Sequence, residues 1–488
     1  MREEAAIELV QRIARETCPH MVNGLDDTQA RALAGILTAT RRLHTLTAGP
    51  GCGKTALMEV LQAVLKQRSM VFVGPTGKSA KVLNNRLSAY GRSASTIHSR
   101  LCGSGRGDFQ VNEQDPLSED ILVVDEASMA DVEIADGVLA AVHDTMHVIM
   151  LGDVEQLPSV SPGAVLRDLL AIKQADHHRL TTTHRNSGGI LEVIGQVRDG
   201  TLDCVDRPSV RFSHGLKDAP KDFPKVAQDY VDAVSRLGIE NVILLMPKRK
   251  GDANTCDWNT TYANAQLREM CNPNAERISG SRLHVNDRVI IRANMQVDLA
   301  DTGSSGRASH DAPDGDDEAM QTRVVNGDTG TIVGYERPKG AIRQAGVKWI
   351  RIKLDDGRMV DFPGAALDQV QHAYALTVHS AQGSEYKHVM AVVTPGTPQF
   401  INRAMIFTGF SRAQNALHIY GEDAVLRQIA ATPMPPRNSG LVRRVMENMG
   451  ASEDEIAEVE PTPVEQAPTR YVPAAPAGSR AARYGQRF

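Results

Sequence analysis

Three short runs carry residue types that can handle phosphate. The first, GPGCGKT at 49–55, sets glycines beside a lysine and a threonine. Glycines let successive backbone N–H groups turn inward around phosphate oxygens. Gly49 is expected to open this loop, through Pro50, Gly51 and Cys52, and Gly53, Lys54 and Thr55 to close it. Lys54 would reach the β/γ oxygens and Thr55 would offer a hydroxyl to Mg²⁺. Cys52 reads as a tolerated small residue. The second run, VVDEA at 123–127, puts Asp125 where it can hold Mg²⁺ and Glu126 where it can polarise an attacking water. The third, LGDVEQLP at 151–158, offers Gln156 as a neutral sensor of a γ-phosphate, in a loop shaped by Asp153 and Pro158.

A charge-rich phosphoryl transition state also needs cations held close by. Arg185 in THRN and Arg412 in FSRA are the candidate arginine fingers. Both lie in or beside the second half of the chain, so catalysis by either requires a cleft to close. With LTVHSAQGSE at 376–385 and FTGFSRA at 407–413, the ordered series implies ATP hydrolysis between two halves that grip a nucleic-acid strand.

The elements that must position these loops are legible as alternating strands and helices from about 40 to 200. LHTLTA, MVFVGPT, ILVVDEA and HVIMLGD are short apolar runs that end in polar or acidic residues. Such runs indicate a buried parallel sheet with functional loops at its carboxyl ends. A polar stretch at 102–119 interrupts them, read as a small hairpin with Phe109 exposed near its tip. A second α/β region begins near 186, with ENVILLMPKRK as a strand with a basic exit loop and 258–271 as a helix. From 283 the pattern turns to short alternating runs broken by NGD, DDG and PG, which predicts a small barrel-like insert. The α/β pattern resumes at YALTVHSAQG. After about 431 the chain is Pro/Ala-rich, with late arginines, and reads as largely disordered to 488.

Composition narrows the class. At 488 residues there is room for several domains. A net charge of −5 excludes a generally basic DNA-coating protein, so any positive surface must be concentrated in a groove. Cys18, Cys52, Cys102, Cys204, Cys256 and Cys271 are scattered and suggest neither zinc nor a disulfide framework. The first 16 residues predict an amphipathic helix rather than a signal peptide, and no run is long enough to span a membrane. A cytoplasmic protein, associated with the nucleoid or a mobile element, is the expectation.

In this order, the motifs resemble superfamily 1 helicases of the 5′→3′ subgroup, RecD-like or Dda-like. The resemblance spans roughly 20–425 and rests on Gln29 in LDDTQARAL, GPGCGKT, GPTGKSAK, STIH, VVDEAS, GDVEQLPSV, HRN, VNGDTG, LTVHSAQGSE and FTGFSRA. It implies an α/β fold of two tandem RecA-like P-loop domains with ATP and Mg²⁺ between them. The first would cover 1–185, with a pin-like hairpin at about 102–119. The second would cover 186–282 and 371–430, with an SH3-like β-barrel insert at 283–370. Gln29 would read the adenine edge, and Gly383 and Glu385 would sit near the nucleotide. Thr76, Lys78, Thr96, His98, Thr377 and His379 fall in motifs that contact the strand, and Phe109 would be the separating wedge. The stretch FTGFSRAQ departs from the usual aromatic-Thr-Ala-x-Thr-Arg-Ala-Lys, although Arg412 survives.

The resemblance therefore implies an ATP-dependent 5′→3′ DNA helicase acting on single strands and single/double-strand junctions. A strand translocase with little unwinding is the alternative, as is a subunit recruited through the tail to a larger nucleoprotein complex. RNA as the strand is a further alternative, since nothing in the sequence reads a 2′-OH.

Overall fold

A computed structural model describes residues 3–17, 24–103, 109–172, 175–183, 188–216, 219–250, 258–300, 320–338, 346–394, 400–435, 437 and 440–448. Its first sheet is parallel and six-stranded. The strands are β1 (Leu43–Ala48), β2 (Met70–Gly74), β3 (Ala94–Thr96), β4 (Ile121–Val124), β5 (His147–Gly152) and β6 (Asp176–Leu180), in the order β3-β2-β4-β5-β1-β6. Successive side chains enter opposite faces of this sheet. Ile121, Val123, Ile149 and Leu151 join one core cluster, while Leu122, Val124, Val148 and Met150 join another. Burial on both faces is why these strands are continuously apolar instead of alternating. The helix Glu3–Thr17 buries Ala6, Val10 and Ala14 and packs on the helix Asp27–Thr38.

The chain then enters a second sheet through β7 (Val210–Ser213) and β8 (Val242–Met246). It leaves that sheet for a separate antiparallel one of β9 (Arg288–Ile291), β10 (Met295–Leu299), β11 (Gln321–Val324), β12 (Thr329–Glu336), β13 (Trp349–Leu354), β14 (Met359–Pro363) and β15 (Val370–His372). This insert has its own core, which includes Ile332, Ile350, Ile352 and Phe362 and reaches back to Ile278. The second sheet resumes with β16 (Ala375–Thr377), β17 (Tyr386–Val392) and β18 (Ala413–Tyr420), giving the order β16-β8-β17-β18-β7, all parallel. The insert is thus spliced between β8 and β16, which are neighbours in the sheet.

The insert leans on the first domain. Lys81 Nζ lies 2.7 Å from Asp328 Oδ1 and 2.5 Å from Asp356 Oδ2. Val325 sits so close to Gly77 that a Cβ there would come within 2.4 Å of it, a contact only glycine allows.

Two expectations need correction. The described part of 102–119 holds no strand pair, only an isolated bridge between Asn112 and Asp115. Phe109 is not an exposed tip: it is half-buried against the first domain's core, 5.7 Å from the His98 ring. It fills space left by glycine, since a Cβ on Gly137 would lie 2.2 Å from its ring. Within 431–488, expected to be largely disordered, a helix forms at Leu441–Asn448 and packs on the helix Val165–Ala171. Leu441, Val442 and Val445 supply its apolar face. The rest of that stretch beyond 448 lies outside the described residues.

A histidine stack crosses the first sheet. His44, fully buried with neither ring nitrogen hydrogen-bonded, sits between His147 and His178 with ring centroids 5.8 Å away on each side. Among the described residues, no helix is long and apolar enough to cross a membrane.

Candidate nucleotide site and strand-facing surface

The glycine loop follows β1 and leads into the helix Lys54–Val64. Gly51 and Gly53 have φ of +78° and +75°, the left-handed region that glycine adopts without strain. Gly53 is the N-cap of that helix and offers no side chain to it, so the first-turn N–H groups stay available to an anion. Counting back from Lys54, the first position of G-x-x-x-x-G-K-[ST] falls on Ala48, so the loop opens one residue earlier than expected. The Ala48 carbonyl accepts from Lys54 Nζ at 3.3 Å. Gln29, 1% exposed, braces the loop from outside: its Nε2 donates to Cys52 O at 3.2 Å, and its Oε1 accepts from Asp26 N at 3.1 Å. Cys52 is buried, which pushes its thiol pKa up, in keeping with an inert packing role.

Carboxylates surround the lysine. Burial would push the Lys54 ammonium down, but Glu126, Asp153 and Asp125 hold it above its ordinary value, against Arg412. Asp125 is driven up to about 6 by burial and by the Glu126 charge, with Lys54 opposing. Asp125 Oδ1 accepts from Glu126 N at 2.9 Å. Glu126 has φ +54°, a left-handed conformation that costs a non-glycine residue of order 1–3 kcal/mol. That strain turns the backbone sharply at the end of β4.

Across the cleft, the second domain meets one loop of the first. Arg412 Nη2 donates to Gln156 Oε1 at 3.0 Å, and Gln156 Nε2 donates to Asp153 Oδ2 at 3.2 Å. Leu157 N donates to Thr408 Oγ1 at 2.7 Å, and Gln382 Nε2 donates to Leu157 O at 3.1 Å. Asp153, Gln156, Thr408 and Arg412 are all buried. Thr408 and Gln382 are contacts that no motif reading assigned, although both lie inside motifs. A cleft of about 410 Å³ opens beside this junction, lined by Gly49, Pro50 and Cys52 on one side and Ile194, Arg198 and Phe407 on the other. Gln29 does not line it.

Other candidates fall as follows. Gly383 (φ +71°) faces the first turn of the helix Gly77–Leu87, 4.0 Å from Ser79 N when a Cβ is placed on it. Glu385 is exposed and accepts from Gln414 Nε2 at 3.0 Å. Arg185 lies outside the described residues, and of the Thr55 side chain nothing is described.

The strand-facing candidates share one device. Thr76, Thr96 and Thr377 stand just after or at the ends of β2, β3 and β16, and each hydroxyl accepts a backbone N–H three residues on. The donors are Ser79 at 3.1 Å, Ser99 at 3.1 Å and Ser380 at 3.2 Å. Capping orients the next N–H groups outward. Lys78 lies beside Gly327 of the insert, and His98 is held against Phe109. His379 is exposed. Sequence reading missed Arg292, which reaches from the insert to Ser380 Oγ at 3.2 Å. Burial, and then the charge of Arg249, lowers its pKa, so two guanidiniums crowd this corner.

Residues 24–209 match the model of an AAA domain, and residues 372–420 match that of a UvrD-like helicase C-terminal domain. The chain is 29% identical over 443 residues to the ATP-dependent RecD2 DNA helicase of Deinococcus radiodurans, covering 86% of this chain and 52% of that protein. It is 25% identical over 465 residues to the RecBCD enzyme subunit RecD of Mycolicibacterium smegmatis, covering 86% and 75%. The chain is thus similar in sequence to proteins named as RecD2 and RecD helicases. It spans about half the length of the first relative and three quarters of the second. Among solved structures, the Pif1 helicase from Bacteroides in complex with ADP-AlF3 and ssDNA aligns at a TM-score of 0.49 with 15% identity, covering 87% of this chain and 98% of that one.

Proposed function

We propose that the chain is an ATP-driven DNA helicase that moves 5′→3′ on single-stranded DNA. The observation that carries this reading is the Arg412–Gln156 bond, which joins the two parallel α/β domains beside Lys54 and the Asp125–Glu126 pair. ATP would supply the scissile phosphoanhydride and Mg²⁺ would neutralise its charge. The residues fit both groups. Crowded carboxylates around one lysine leave Asp125 in need of a cation, and the Gly53 helix start presents free N–H groups. Lys54 and Arg412 would steady phosphate charge, Glu126 would orient and deprotonate the attacking water, and Gln156 would report the γ-phosphate to Arg412. Residues 1–185 form the first RecA-like domain in this reading, and 186–282 with 371–430 the second. The insert at 283–370 is its SH3-like barrel, acting where DNA enters.

The capped helix starts at Thr76 and Thr96, and the turn that the Thr377 hydroxyl holds, suit a strand held by its backbone, which a motor must grip without reading sequence. Arg249 and Arg292 add charge to the Thr377 side. A second reading has an observation behind it. Phe109 is packed inward against the first domain's core, so it is not placed as the aromatic wedge a pin would need. The relative from Mycolicibacterium smegmatis is named as a subunit of the RecBCD enzyme, so a translocase that unwinds only with partners is the alternative.

Strand separation with ATP, on duplexes bearing a 5′ or a 3′ single-stranded tail, tests both. Unwinding from the 5′ tail alone, lost in Lys54→Ala, supports the helicase. DNA-stimulated hydrolysis without unwinding moves the reading to the partner-dependent translocase. Hydrolysis undiminished in Lys54→Ala refutes the site.

A further inference from the structure

The last described segment returns from the second domain to the first. After the helix Asp423–Ala431, which packs on Gly188–Asp199 in the second domain, the chain passes Arg437 and ends its described course in the helix Leu441–Asn448. That helix docks on Val165–Ala171 of the first domain. Arg437 Nη1 donates to Ser159 O at 2.6 Å and to Ser161 O at 3.1 Å. These carbonyls belong to the loop that carries Asp153, Gln156 and Leu157. Arg167 holds the near end of the same loop, its Nη2 donating to Val154 O at 2.9 Å. Among the described residues, Arg437 makes no ion pair, so its charge is spent on backbone carbonyls. Charged donors make the stronger class of hydrogen bond.

Position gives the contact its meaning. Ser159 is three residues from Gln156, which Arg412 bonds, and two from Leu157, which Thr408 and Gln382 bond. The His379 side chain meets solvent but is flanked by enough protein that desolvation, and then the Arg437 charge, lower its pKa, so the charge of Arg437 is felt at the Thr377–His379 turn. One guanidinium therefore bonds the loop that carries Gln156 and lies within electrostatic reach of the Thr377–His379 turn. We infer that Arg437 and the helix Leu441–Asn448 are an intramolecular brace of the motor, and that Arg437 is a positioning residue that holds the Gln156 loop in register with the second domain. This rests on the proposed ATP-driven activity for its consequence, but not for its geometry.

The full chain is compared with Arg437→Ala, Arg437→Lys and Val442→Glu, the last to detach the helix. Amide hydrogen exchange across 156–161 and steady-state ATP turnover with a thymidine oligonucleotide are the two readouts. Arg437→Ala should speed exchange at 156–161, with the melting temperature held. It should lower DNA-stimulated kcat by about three- to tenfold, because small misplacements of a positioning group are costly, while KM for ATP stays within about twofold. Arg437→Lys should recover part of both effects, and Val442→Glu should reproduce the exchange effect. Wild-type exchange across 156–161 in Arg437→Ala would show that no brace exists. Faster exchange with unchanged kcat and KM would show that the brace does not position the loop for turnover. Absence of ATP turnover in the wild type would instead overturn the proposed function, with the exchange result still deciding the brace.

Discussion

The two parallel domains contribute to the nucleotide site in unlike ways. The first is built in advance: left-handed glycines, a strained Glu126, and a lysine set among three carboxylates, all at the ends of strands buried on both faces. The second contributes side chains that reach across, Arg412, Gln382 and Thr408, and every one lands on the loop around Gln156 and Leu157. In the proposed reading the built half would bind phosphate by itself. The reaching half would work only when the domains approach, so in the proposed motor it is where strand binding would be converted into turnover.

Four experiments would break or sharpen this contrast. Arg412→Ala should cost about 10³-fold in kcat, the range of an arginine finger, with nucleotide affinity nearly unchanged. Loss of affinity on the scale of Lys54→Ala would place Arg412 in the built half. The histidine stack offers a test confined to the first domain. Burial, with His178 and His147 adding like charge and Asp176 opposing, lowers the His44 pKa to about 4. Its unfolded value is near 6.5, so the unfolded state binds more protons between those values. Stability present above about pH 6.5 is lost as pH falls toward 4, by roughly 3 kcal/mol for this group alone. His44→Leu should flatten that part of the pH–melting curve; an unchanged curve would show that the stack does not titrate with folding. Thr408→Val keeps the shape and strands the Leu157 N–H without an acceptor, which costs about 1–3 kcal/mol in the closed state. Turnover should fall about tenfold with nucleotide affinity retained. Smallest is Lys81→Met, which removes a largely buried latch between insert and first domain but leaves Arg358 beside both carboxylates. Urea unfolding should register about 1 kcal/mol or less, while unwinding relative to hydrolysis should drop if the insert's placement matters.

The built half was the legible half. Its glycine loop and its Asp125–Glu126 pair are short runs of particular residue types that local sequence carries directly, although the first position of the loop falls on Ala48 and not on Gly49. The reaching half is legible only in part. Arg412 stood out because a cation near phosphate has a chemical reason to be there. Thr408 and Gln382 act through plain hydrogen bonds to backbone, which leave no trace in spacing. Phe109 was misread for a related reason. A loop aromatic looks exposed until Gly103 and Gly137 are seen to leave the space its ring fills. The helix at 441–448 was hidden by its Pro/Ala-rich surroundings, although Leu441, Val442 and Val445 recur at helical spacing. Gln29 stood out by position, but its amide is committed to Cys52 and Asp26.

The splice point of the insert has a consequence for how the molecule is born. Both sheet neighbours of β8, namely β16 and β17, are encoded after the insert. The five buried apolar residues Val242–Met246 therefore leave the ribosome with no partner on either edge. At about 5–20 residues per second, they wait on the order of ten seconds or more until Ala375 and then Tyr386 emerge. The antiparallel insert, whose core is nearly self-contained, can fold during that interval. The cell must shield β8 meanwhile, and with it β7, whose neighbour β18 comes later still, so synthesis slowed within 288–372 should raise the yield of misassembled chains.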